Sequence, residues 1–70
     1  MNGRYTAVIK QAGKWWIGWI EEVPGVNCQE ASRDELVGSL RDALREALEL
    51  NRRDALDAAG EGYDEQPIAL

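Results

Sequence analysis

A chain of 70 residues with one cysteine and no histidine makes one domain at most. It forms no internal disulfide and lacks both ordinary zinc ligands and the Ser-His or Cys-His pairs of nucleophilic catalysis. Its 13 acidic residues against 8 basic ones give a formal net charge of −5, which disfavours nucleic acid and suits a basic partner.

Near the N-terminus, Arg4–Lys10 (RYTAVIK) is rich in β-formers and closed by charge at both ends, with Tyr5, Ala7 and Ile9 opposite Thr6 and Val8. It reads as a first strand. Gln11–Lys14 is a loop of hairpin length containing Gly13, so the next strand should return antiparallel. That strand, in WWIGWIEEVPG (Trp15–Gly25), puts Trp15, Ile17 and Trp19 on one face and Trp16, Gly18 and Ile20 on the other. Both faces are apolar, which predicts a central strand covered on both sides. Glu21 and Glu22 end it, and Pro24-Gly25 turns the chain into a short third strand over Val26–Glu30.

Ser32-Arg33-Asp34-Glu35 fits a capping box, in which the Ser32 hydroxyl accepts from the Glu35 amide and the Glu35 carboxylate reaches back to the Ser32 amide. The helix that follows gathers Leu36, Leu40, Ala43, Leu44 and Ala47 on one stripe with Val37 at its margin. Arg41, Asp42, Arg45, Glu46 and Glu49 lie opposite. Gly38 lands on the wet side at a cost of about 1 kcal/mol, without evident reason. Glu49 and Arg53 can pair at i,i+4, and Arg52 and Arg53 suit the negative end of a helix dipole. Beyond Leu50 the stripe is interrupted by Asn51 and Asp54. A helix from Arg33 to Ala59 would run roughly 40 Å against about 23 Å for seven-residue strands, so its last turns should protrude. Gly60 and Gly62 stop it. The remainder of 60–70, with Gln66–Leu70 (QPIAL) at its end, is either a flexible tail or a short edge strand, to which Pro67 would confine it.

The expected fold is therefore α+β: one domain over 1–70, ordered β-β-β-α with a final β left open, as a small antiparallel sheet with one long helix. A single helix covers one side of such a sheet. The core and oligomer-interface residues are Trp15, Trp16, Ile17, Trp19 and Ile20, and whichever face the helix leaves bare is an interaction site, preferably for a homodimer. A chain this short buries only about 60% of its unfolded surface, so association is the natural supplement to its core.

Chemistry-bearing constellations are sparse, and no cofactor is expected. Glu21 and Glu22 point to opposite faces of a strand and cannot converge on one ion. Cys28 has no basic neighbour in sequence and reads as a small buried apolar residue. Gly60-Glu61-Gly62 matches no phosphate loop. Arg41, Arg45 and Arg52 form a weak stripe interleaved with Asp42, Glu46 and Glu49, better read as a solvated face. The tryptophans lack the basic groove of a single-strand binder, leaving packing as their role. With no apolar run of about 18 residues and no leader-like apolar core in MNGRYTAV, a soluble cytoplasmic protein without catalytic activity is expected.

With these elements in place, Tyr5–Leu48 resembles the HicB family of antitoxins from bacterial and archaeal toxin-antitoxin systems. The resemblance rests on YTAVIK, then WWIGWIEEVPG, then SRDELVGSLRDALREAL, in that order and spacing. It implies a partial ribonuclease H-like β-β-β-α-β fold, dimeric or larger, that binds and masks a small basic messenger-RNA-cleaving toxin of the HicA family. Gln29-Glu30-Ala31 departs from the glycine-containing turn common in the family. The converging carboxylates of ribonuclease H chemistry are missing, and no DNA-binding extension follows, so direct operator binding is not expected. The acidic excess between Asp54 and Glu65 (Asp54, Asp57, Glu61, Asp64 and Glu65) would meet the toxin. The alternative is an oligomeric structural or regulatory subunit with no toxin.

Overall fold

The computed structural model describes residues 4–70; Met1–Gly3, the start of the domain expected over 1–70 and of the stretch read as lacking a leader, lie outside the described residues. Strands β1 (Ala7–Ala12), β2 (Trp15–Ile20) and β3 (Asn27–Glu30) form an antiparallel sheet in that spatial order, followed by helix α1 (Arg33–Ala59). The α+β class is thus as the sequence predicts, with β2 central.

The first strand starts three residues later than its β-forming composition suggests and runs on to Ala12, pairing Ala12 with Trp15. This shortens the connection to Gly13-Lys14. Gly13 has φ 63°, the glycine-first pattern of a two-residue hairpin loop whose twist matches the strands it joins. At the other end of β2 the chain tightens at Val23–Val26: the Ile20 amide donates to the Val26 carbonyl at 3.1 Å, and Val23 and Val26 are both buried.

Register decides the faces. Ala7, Ile9 and Gln11 align with Ile20, Gly18 and Trp16, and Cys28 and Glu30 continue these rows on β3. This is the side that α1 covers. Ile20, Val23, Val26, Leu36 and Leu40 form the buried core, with Ile9, Trp16, Cys28, Ala43, Leu44, Ala47 and Leu48 packed around it. The helix sits close because Gly18 has no side chain. A Cβ there would lie 2.9 Å from the Val8 carbonyl oxygen, 3.1 Å from Leu40 Cδ1 and 3.2 Å from Leu36 Cδ2.

Ser32 caps α1, with the Glu35 amide donating to its hydroxyl oxygen at 3.2 Å. The return contact differs from the capping-box expectation, since the Ser32 hydroxyl donates to the Glu35 carboxylate at 3.0 Å. Both bonds pin the same side-chain pair over the first turn. A second tie was not evident from sequence: the Ser39 hydroxyl donates to Glu30 at 2.6 Å, fastening α1 to the end of β3.

At 27 residues α1 far outruns six-residue strands, and the described residues extend over 51 × 23 × 15 Å. Nothing beyond Leu48 joins the core. Gly60 closes the helix with φ 73°, its amide donating to the Leu56 carbonyl at 3.2 Å. Arg52 and Arg53 do not serve the helix dipole as expected, because α1 continues to Ala59 and its last turn holds no basic residue. Residues 60–70 form no strand, so the edge-strand alternative for QPIAL is not adopted.

Two glycine substitutions test this packing. Gly18→Ala overfills the helix–sheet contact and should destabilise the fold by about 1–3 kcal/mol. Gly38→Ala meets nothing within 4 Å and should stabilise it by roughly 0.5–1 kcal/mol. Urea unfolding measures both, and a neutral Gly18→Ala would contradict the close approach.

Candidate functional site

The first candidate surface is the sheet face away from α1. On it Val8, Lys10 and Ala12 align with Trp19, Ile17 and Trp15, and Asn27 and Gln29 continue the rows on β3. Trp15 and Trp19 are each 41% exposed, while Val8 and Ile17 are half-buried. The five residues expected to form core and interface are therefore divided. Trp16 and Ile20 belong to the helix-side core, whereas Trp15, Ile17 and Trp19 form a bare apolar row. The expectation of cover on both sides is met on one side within the single chain.

Charge on this face is limited and sits mainly at its ends. Lys10 lies beside Ile17 at mid-face, and the Lys14 ammonium stands 6.0 Å from the centre of the Trp15 ring at the hairpin end, a cation–π distance. Glu21 follows β2 at the opposite end, where its amide donates to the Thr6 carbonyl at 2.9 Å.

The second candidate surface is the far end of α1 and the segment after it. Asp54 and Asp57 are exposed on the last turns, Glu61 follows the Gly60 cap, and Asp64 and Glu65 lie in the irregular segment beyond. Glu65 reaches back to Arg52 at 3.8 Å, and Arg53 pairs with Glu49 at 3.7 Å as the spacing predicts. No ion pair engages Asp54, Asp57, Glu61 or Asp64 among the described residues. Carboxylates at the C-terminal end of a helix oppose its dipole, so these are held there at some cost to the helix.

An open groove of about 260 Å³ between β1 and α1 is lined by Tyr5, Ala7, Ile20, Val37, Arg41 and Leu44. Arg41 is its one charged group, so it offers no acid–base pair. Arg41 is exposed and Arg52 is engaged by Glu65, consistent with the solvated reading of the Arg41–Arg45–Arg52 stripe. Cys28 is half-buried, and burial, with the charge of Glu30 second, pushes its thiol above the ordinary 9.0 and keeps it protonated. No cluster of three or more metal-ligating side chains occurs among the described residues, and no helix among them is long and apolar enough to cross a membrane. No family model, curated protein or solved structure matches the chain.

One carboxylate shapes stability rather than a site. The Thr6 amide donates to Glu22 at 2.8 Å, tying the chain ahead of β1 to the loop after β2, and this bond holds the Glu22 carboxyl below its ordinary 4.5. A depressed folded value gives stability that is present above the ordinary value and lost as pH falls below about 4.5 through the folded one. Glu22→Gln should flatten the unfolding free energy across that acid window and leave its slope above pH 6 unchanged. Identical acid slopes for the two proteins would remove Glu22 from the account.

Proposed function

We propose that this chain is a non-catalytic, antitoxin-like binding protein of the cytoplasm, which neutralises a small basic HicA-like messenger-RNA-cleaving toxin. The HicB-like order of its strands and capped helix motivates the kind of partner. The observation that carries the reading is the acidic helix end: Asp54 and Asp57 stand exposed on a protruding helix and Glu61 just past its Gly60 cap, against its dipole and without ion-pair partners among the described residues. An overhang of this kind lies clear of the sheet and can enter a basic concavity, where it would cover an RNA-binding surface by charge complementarity. The tryptophan face serves assembly, so that the acting form is a homodimer or larger.

A second reading, an oligomeric structural or regulatory subunit with no toxin, is favoured by that bare face. It requires a cover whether or not a toxin exists.

The test is growth and messenger-RNA decay in cells expressing the adjacent small basic reading frame, with and without this chain supplied separately. Rescue with a copurifying complex is expected. A harmless neighbour, or toxicity unaffected by this chain, would overturn the antitoxin reading and leave the subunit reading. Within a complex, changing Asp54, Asp57 and Asp64 to Asn and Glu61 and Glu65 to Gln should weaken affinity at low salt by about tenfold or more, and much less at high salt. Unchanged affinity would move the toxin contact elsewhere.

A further inference from the structure

The tryptophan face has a specific chemistry. Apart from Lys10, the strand residues on it are uncharged: Val8, Ala12, Trp15, Ile17, Trp19, Asn27 and Gln29. Lys14 stands at the hairpin end and Glu21 at the other. Such a surface suits an occupant that is acidic at the hairpin end and apolar toward Trp19.

Stacking two of these faces is a poor solution. Six-residue β1 and β2 beside four-residue β3 at about 4.8 Å spacing present at most roughly 20 × 14 Å, a small flat patch for a stable pair. Stacking would also cover Lys10, which has no carboxylate on any neighbouring position of its face, and an ammonium taken from water unpaired is costly.

The chain carries a segment of the required pattern. In residues 63–70, YDEQPIAL, the carboxylates Asp64 and Glu65 precede Pro67, Ile68 and Leu70. Ile68 is 77% exposed and Leu70 is fully exposed, so neither has a seat in the single chain. Extended, Asp64 to Ile68 runs about 13 Å and Asp64 to Leu70 about 20 Å, bracketing the ~17 Å from Lys14 to Trp19. We propose that the tryptophan face is the seat for residues 63–70 of a second copy, with Asp64 and Glu65 at Lys14 and Lys10 and Pro67, Ile68 and Leu70 over Ile17, Trp19 and Val8. Reciprocal exchange then closes a two-fold dimer. The inference rests on the reading of this face as an assembly surface and adds what covers it; it assigns Asp64 and Glu65 to the second copy and leaves Asp54, Asp57 and Glu61 for the toxin.

The segment cannot take this seat in its own chain. Leu40 packs at Gly18, one position along the strands from the Lys10–Ile17 pair, and the helix runs on from there for about 28 Å to Ala59. Residues 59–64 span at most about 18 Å, which even with extended side chains leaves Asp64 short of Lys14, roughly 10 Å beyond Ile17 toward the hairpin. A neighbouring copy carries no such restriction. The Arg52–Glu65 pair, solvent-exposed at 3.8 Å, is weak enough to be exchanged for the lysines.

The experiment compares the full chain with Ile68→Asp/Leu70→Asp, Lys10→Glu, Glu65→Lys and the Lys10→Glu/Glu65→Lys double variant by sedimentation equilibrium. Helical circular dichroism verifies folding, since all four positions are exposed. The wild type should be a dimer. The tail variant and each charge variant should raise its dissociation constant at least tenfold, and the double variant should recover most of that loss. In mixed samples of isotopically labelled and unlabelled chain, the Ile68 and Leu70 methyls should show intermolecular contacts to the Trp19 indole. A dimer that survives the tail variant but is lost in Trp19→Glu overturns the tail seat while keeping the face as an assembly surface. A wild type that is monomeric throughout overturns both. Intramolecular contacts alone would overturn the exchange between copies.

Discussion

The close approach of α1 to β2 at Gly18 is the constraint on which the rest of the structure depends. A missing side chain at the centre of the middle strand lets Leu36 and Leu40 descend to within about van der Waals distance of the backbone, and these two become the largest fully buried side chains among the described residues. The face is thereby chosen. Trp16 and Ile20, sharing Gly18's side, go to the core, and period-two geometry sends Trp15, Ile17 and Trp19 to the other side with no element to cover them. One small residue separates an internal core from an external apolar surface.

The same contact sets the shape. Held at its first half by Leu36 and Leu40 and by the Ser39–Glu30 tie, α1 has packing partners only as far as Leu48. Its remaining turns leave the sheet and carry their carboxylates outward. The molecule is therefore polar in the directional sense: a tryptophan face with lysines at one end of its long axis, and an acidic, apolar-tipped segment at the other. Its two ends differ in charge and in apolar content, and no group of three or more metal-ligating side chains occurs among the described residues.

Much of this was legible from the residues. The two-faced apolarity of WWIGWI placed β2 at the centre, the Leu36–Ala47 stripe located the helix core, and the Ser32–Glu35 spacing located its start. Gly18 on the Trp16 side is a local cue to the covered face that becomes decisive only when the helix is in place. The exact start of β1 was not legible, because Arg4–Thr6 has β-forming composition but finds a partner only through the loop bond to Glu22 and the contact to Glu21, which are tertiary. The Ser39–Glu30 bond was hidden for the same reason. Position along the helix misled over Arg52 and Arg53: their value at a C-terminus depends on where the helix ends, and the Gly60 stop leaves them more than a turn inside it. The acidic residues from Asp54 to Glu65 were recognisable as a group, but their exposure on an overhang is a property of the fold.

The central claim is that the tryptophan face is bare in the single chain and covered in the working assembly. Sedimentation equilibrium combined with tryptophan emission across a dilution series tests it most directly, since Trp15 and Trp19 report on that face while Trp16 stays in the core. The account predicts a dimer at high concentration whose emission shifts to longer wavelength in step with its dissociation. A chain that is monomeric at every concentration, with unchanging emission, would contradict it.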